Sequence, residues 1–341
     1  MIKKIITAIL TVFITILFLN ACSSKEPFIG ITIYRGDDIF ANYIKVNLEK
    51  SLSGKVKYII SDSKDNQAVQ NEQIDKYISK GASVLAVNLV DSQAAETIIN
   101  KVREKNIPII FFNKAPNKSV MNSYDKVWYV GAFSEEAANM QGKIITDSWK
   151  ANPNWDKNGD GKIQCIILQG EPGNYDTDVR TKNLISFIEN SGLELDILEQ
   201  RTAMWNRDRA KTIIDSFISN NLEDSDIKIE YIFANNDSMA LGALRALQSF
   251  GYNIGDSNKY IPIVGIDAIN EAVQEISKGN IVGTVLNDGF SQAKAVADLS
   301  FSLFKGNANP ILGTSWILDN NKAVRIHYKP ITSSNLNEIR K

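Results

Sequence analysis

Asp156, Asn158, Asp160 and Gln164 carry side-chain oxygens at the first, third, fifth and ninth positions of one short loop. Gly161 stands at the sixth, where such a loop turns sharply. Lys162 at the seventh can add its backbone carbonyl. Calcium is a hard cation that takes ~6–8 oxygens, so the loop offers most of a ligand set. The glutamate expected at the twelfth position is replaced by Ile167, inside the apolar run Cys165-Ile166-Ile167-Leu168. The loop is therefore expected to enter a buried strand, not a helix, and to borrow a carboxylate from elsewhere.

A second set of polar groups repeats along the chain. Tyr34 is followed by Arg35-Gly36-Asp37-Asp38-Ile39-Phe40, and Phe111-Phe112 by Asn113-Lys114. Ala234 leads into Asn235-Asn236-Asp237, Ile266 into Asp267, and Leu286 into Asn287-Asp288. Gly170-Glu171-Pro172-Gly173-Asn174-Tyr175-Asp176 opens a helix with Asp176 and Arg180 on one face. Taken singly, each Asn or Asp could be a helix cap or an Asx turn. Together with Arg180 they suit a ligand dense in hydroxyls, each of which both donates and accepts. Phe40 and Trp205 add flat apolar faces, the profile of a hexopyranose.

The elements that must position these groups follow a strand–helix rhythm. Phe28–Tyr34, Val56–Ser61, Val84–Leu89 and Pro108–Asn113 hardly alternate, so they read as strands buried on both faces. Amphipathic runs lie between them, and Gly81 stops the one over 67–80. The rhythm restarts with strands over 127–130, 165–169, 194–199, 230–234 and 261–266. A third passage has strands at Gly283–Leu286, Ser315–Leu318 and Val324–His327 around a helix over 290–305. This spacing implies βαβ units on parallel sheets, which bind ligands at the carboxyl ends of their strands.

The first residues are Met1-Ile2-Lys3-Lys4, then an apolar run from Ile5 to Leu19, then Asn20-Ala21-Cys22. That pattern reads as a signal peptide over 1–21, with Cys22 as a lipid-bearing first residue and a tether over 22–27. Lys and Arg number 38 against 39 Asp and Glu, with no basic run, so no nucleic acid partner is expected. Of two cysteines, Cys165 falls in an apolar strand and reads as a core residue. The single histidine, His327, leaves little scope for a Ser-His or Cys-His pair. A glycosidase pair drawn from Asp38, Asp176 and Asp267 is disfavoured, because neighbouring Asn or Arg would hold each one ionised. No catalysis is expected.

Thr32-Ile33-Tyr34 with Asp37-Asp38-Ile39-Phe40, Asn88-Leu89-Val90-Asp91, Phe111-Phe112-Asn113-Lys114, Gly170-Glu171-Pro172-Gly173, Thr202-Ala203-Met204-Trp205 and Gly283-Thr284-Val285-Leu286-Asn287-Asp288 resemble the glucose/galactose-binding branch of the type I periplasmic binding protein family. The resemblance implies an α/β fold of two Rossmann-like lobes with parallel sheets, joined by three hinge crossovers near Gly131–Phe133, Leu286–Asp288 and Ala323–Arg325. It implies an N-terminal lobe over 28–132 plus 288–323, and a C-terminal lobe over 133–287 plus 324–341 with a calcium loop at 156–164. Sugar would be held by Asp38, Asn113, Asp176, Arg180, Asn236, Asp267 and Asn287, between Phe40 and Trp205. Ca2+ would take Asp156, Asn158, Asp160, Lys162, Gln164 and a distant Glu230.

Asn174 stands where the family pattern has histidine. It can still offer the sugar a donor and an acceptor without a titration near neutral pH, so binding is expected to vary little between pH 5.5 and 8. The implied protein is a monomer, periplasmic or at the cell surface and lipid-anchored to a membrane. It would capture D-glucose or D-galactose for an ABC permease, and could also serve a chemoreceptor. A sugar-sensing receptor with no transport role would use the same cleft.

Overall fold

The computed structural model describes residues 26–221 and 228–339. The expected signal peptide over 1–21 and the expected lipid-bearing Cys22 lie outside these residues. No helix among the described residues is long and apolar enough to cross a membrane.

The first sheet contains β1 (Phe28–Ile33), β2 (Tyr58–Asp62), β3 (Ala82–Val87), β4 (Ile109–Phe112), β5 (Val127–Ala132) and, from near the end of the chain, β11 (Ala323–Ile326). Its order is β11-β5-β4-β3-β1-β2, and every pairing is parallel. The second sheet contains β6 (Lys162–Gln169), β7 (Glu194–Thr202), β8 (Tyr231–Ala234), β9 (Ile263–Val264), β10 (Gly283–Leu286) and β12 (Lys329–Thr332). Its order is β12-β10-β9-β8-β6-β7, parallel except for the antiparallel pairing of β10 with β12.

Helices cover both faces of each sheet: α1 (Ile39–Leu52), α2 (Gln67–Lys80), α3 (Ala95–Glu104) and α9 (Gly289–Phe304) on the first; α4 (Ser134–Ala151), α5 (Tyr175–Asn190), α6 (Arg207–Asn220), α7 (Asp237–Ser249) and α8 (Asn270–Ser277) on the second. This explains the strands without alternation. Ile29, Ile31 and Ile33 point into the core under α1 and α9, while Phe28, Leu85 and Val87 point into the one under α2 and α3. Each such side chain, fully buried, contributes ~1.5–3 kcal/mol. Cys165 is one of these core residues, and burial pushes its thiol up.

The chain passes between the sheets after β5, after β10 and after β11. The last passage departs from expectation. β11 pairs with β5 from Ala323–Tyr129 through Ile326–Ala132, so residues 324–326, expected in the C-terminal lobe, stay with the first sheet and the chain crosses at His327. Val324 and Ile326 sit in the first core, and the Arg325 guanidinium lies 5.0 Å from the Tyr129 ring centre and 4.7 Å from that of Phe133. The expected strand over 315–318 does not form. Trp316 and Leu318 pack inward while Ile317 stays exposed, an alternation that mimics a strand but meets no sheet edge. β12, which was not expected, carries Pro330 on an edge, where a missing N–H is tolerated.

Candidate functional site

Every expected sugar ligand lines one cavity of about 40 Å³: Asp38, Phe40, Asn113, Asn174, Asp176, Arg180, Trp205, Asn236, Asp267 and Asn287. Tyr34 and Lys114 complete the lining, and neither was singled out from the sequence. The signal was available, since Lys114 directly follows Asn113 and Tyr34 stands at the strand end four residues before Asp38. A larger groove, about 770 Å³, adjoins the cavity at Asp176, with Phe133 and Tyr175 on its walls. The small cavity is the better candidate because its buried polar groups converge there.

Strand ends and helix starts build the walls. Asp38 caps α1, its Oδ1 accepting from the Ala41 N–H at 2.7 Å. Asn236 caps α7 through the Met239 N–H at 2.9 Å, and Asn174 caps α5 through the N–H groups of Asp176 and Thr177. The helix-cap and ligand readings of these residues are therefore compatible. One side-chain atom holds the helix and the residue still faces the cavity. For Asn174 this has a cost: its Oδ1 serves the helix, so only its amide remains to donate, and that lies 3.5 Å from a Glu171 oxygen.

Arg180 is buried at the centre of the second lobe's wall. It donates to the Asn235 carbonyl at 2.8 Å and to the Tyr328 hydroxyl at 3.0 Å, with its guanidinium 5.6 Å from the Trp205 ring centre. Its Nε and the Trp205 Nε1 are buried donors with no partner in the protein. Unpartnered buried donors are costly, and a hydroxyl-rich ligand would satisfy them. Trp205 follows Met204, both at positive φ (57° and 55°), a turn that folds the indole across Gly170. A Cβ at Gly170 would come within 2.0 Å of that ring, so only glycine fits.

The acidic side of the cavity is more strongly perturbed than the sequence implies. Burial pushes the Asp267 carboxyl well up; Arg180 opposes the shift and Asp237 reinforces it. Asn287 donates to Asp267 at 3.2 Å and accepts from Gln292 at 2.6 Å, so it is held at both ends. Behind them Asp237 is fully buried, accepting from the Thr284 hydroxyl at 2.7 Å and the Ile269 N–H at 3.0 Å. Burial raises its carboxyl to about 6, inside the window expected to be silent. The expectation that a neighbour holds the carboxyl ionised is corrected at Asp267, where desolvation outweighs Arg180.

A stability prediction follows. A carboxyl raised on folding stabilises fully below its ordinary value near 3.8 and loses that contribution as pH rises through about 6. The contribution is on the order of 3 kcal/mol. Asp237→Asn should flatten the melting-temperature profile between pH 4 and 7 relative to the parent. Parallel profiles for the two proteins would exclude this role.

The turns over 156–161 run straight into β6, whose first residues are Lys162, Ile163 and Gln164. Asp156 accepts from the Gly159 and Gly161 N–H groups at 2.7 and 3.0 Å, and both glycines have positive φ. Asp160 lies 2.8 Å from the Gln164 amide nitrogen, and the Lys162 N–H helps hold its carboxyl below the usual range. Glu230 arrives from the chain just before β8, fully buried, with its oxygens on the Lys157 and Gln164 N–H groups at 2.5 and 3.1 Å. Gln164 Oε1 is buried without a partner. Among the described residues no three acidic, His or Cys side chains are gathered tightly enough to make a cation site by themselves. A calcium set here draws on amide and backbone oxygens too, and the orphaned Gln164 oxygen fits that donor chemistry.

A periplasmic binding protein domain matches residues 29–308. This chain belongs to the periplasmic binding protein family. It is 42% identical over 324 residues to the D-galactose/methyl-galactoside binding periplasmic protein of Haemophilus influenzae, covering 94% of each chain. It is 27% identical to a putative rhizopine-binding protein of Rhizobium meliloti, covering 82% of this chain and 85% of that one. Among solved structures it resembles an ABC transporter solute binding protein from Bacillus halodurans with bound myo-inositol, at TM-score 0.76 and 24% identity over 93% and 98% of the two chains. That likeness establishes the fold: two mostly parallel sheets flanked by helices. Members of this family are solute-binding proteins, and the chain is a binding protein, not an enzyme.

Proposed function

We propose that this chain is an extracytoplasmic substrate-binding lipoprotein that captures D-galactose or D-glucose between its lobes and delivers it to an ABC permease. The observation that carries the reading is one cavity whose wall combines Asp38, Asp176, Asp267, Arg180 and four asparagines (Asn113, Asn174, Asn236 and Asn287) with two aromatic faces. The 42% identity to a galactose-binding relative over 94% of the chain supports the same ligand class. Sugar hydroxyls satisfy the donors of Arg180 and Trp205 and donate to the aspartates, while Phe40 and Trp205 cover the sugar's C–H faces. Ligand groups from both sheets favour the closed arrangement and shift its population.

Ca2+ is proposed as a structural ion held by Asp156, Asn158, Asp160, Lys162, Gln164 and Glu230, and Cys22 as the lipid-bearing residue. Service to a chemoreceptor is compatible with the same closed shape. Trp205 gives a direct optical test. Adding D-galactose should change the intrinsic fluorescence of the parent, and Trp205→Phe should remove most of that change. A full signal surviving in the variant would move the site elsewhere.

A further inference from the structure

We propose that Lys114 and Glu171 form a clasp between the lobes that sets how readily the site closes, and so scales affinity for every sugar by one factor. The inference rests on the sugar-binding reading above. Lys114 follows β4 in the first sheet, and Glu171 follows β6 in the second. Lys114 Nζ donates to both carboxylate oxygens, at 2.8 and 2.9 Å, and to the Val90 carbonyl at 3.3 Å. It also lies 3.9 Å from the centre of the Tyr34 ring. The two side chains are only 6% and 15% exposed. Among the described residues, this is the ion pair that joins strand ends of different sheets across the cavity.

Its physics follows from burial. When the lobes separate, water can solvate both charges. When they close, each charge is desolvated and its compensation is the other. Removing one partner therefore penalises only the closed form, leaving a buried charge unpaired. Apparent affinity falls by the fraction of closed protein lost, because the dissociation constant scales inversely with the competent population. The penalty is independent of which sugar is bound. A contact made by Lys114 to the ligand itself would behave differently, changing the preference among epimers. Glu171 also faces the Asn174 amide at 3.5 Å, which ties the clasp to the site's wall.

The test is a double-mutant cycle with Lys114→Met, Glu171→Gln and the double variant, titrated calorimetrically with D-galactose and D-glucose beside the parent. Each single variant should weaken both sugars by roughly tenfold or more. The galactose-to-glucose ratio should stay constant, and the double variant should regain most of the loss. Small-angle scattering of the sugar-free proteins should show both single variants more extended than the parent. Single variants that bind within about threefold of the parent, or a ratio that moves with the substitution, would overturn the clasp. If the parent binds neither hexose, the sugar reading fails. The scattering comparison then decides the clasp alone, and equal dimensions for all four proteins would refute it.

Discussion

Arg180→Met should lower D-galactose affinity by at least two orders of magnitude, about 2.8 kcal/mol. The side chain holds three roles at once. It donates to the Asn235 carbonyl and the Tyr328 hydroxyl, fixing the start of α7 and the crossing after β11. It is the cation that opposes the raised carboxyl of Asp267. Its Nε, like the Trp205 indole N–H, is a buried donor without a partner, on a residue that lines the cavity. Hydrogen bonds to charged groups contribute ~1.5–3 kcal/mol each, and their loss here also leaves Asp267 buried without its counter-charge. Arg180→Lys keeps the charge but not the planar fork, so it should fall between parent and Met variant. Circular dichroism and melting curves would separate lost binding from lost folding. Near-parental affinity in a folded Arg180→Met protein would remove the residue from the site.

Chelation of calcium should lower the melting temperature by about 10 °C while sugar affinity changes little. A ligand at a thousandfold over its dissociation constant stabilises by ~4 kcal/mol, and each kcal/mol shifts a lobe of this size by ~2–4 °C. Burial raises the Glu230 carboxyl, and a bound cation would offset that cost by favouring the charged form. The effect on sugar is small because loop and cavity lie at opposite ends of β6. From Gln164, the last proposed ligand on that strand, to Gln169 it runs about 17 Å at ~3.3 Å per residue. Differential scanning calorimetry with and without added Ca2+ checks this. Identical melting curves would reject the metal site.

The legible parts of the chain were those where one residue type has one physical use. Continuous apolar runs gave the doubly covered strands, and polar residues at their carboxyl ends gave the cavity. The third passage was harder. Ser315–Leu318 has the alternation of a strand, yet strand formation needs a pairing edge, which no local pattern encodes. β12 was hidden because Pro330 argues against a strand, and only its edge position permits it. The pKa shift at Asp237 was invisible because burial depends on Gly265 and Thr284, far away in sequence. A Cβ at Gly265 would fall 2.1 Å from an Asp237 oxygen, so the glycine makes room for the buried carboxyl. Lys114 stands inside a recognisable motif, yet its role is not legible there, since a lysine is ordinarily solvated and its partner Glu171 comes from the other sheet.

The cavity between the strand ends is proposed as a hexose site. Isothermal titration of the purified, calcium-loaded protein with D-galactose, D-glucose, D-ribose and D-xylose tests it most directly. One hexose should bind saturably per chain, with pentoses weaker by at least tenfold because they leave buried donors and acceptors unmet. Tight binding of a pentose with no heat from either hexose would contradict it.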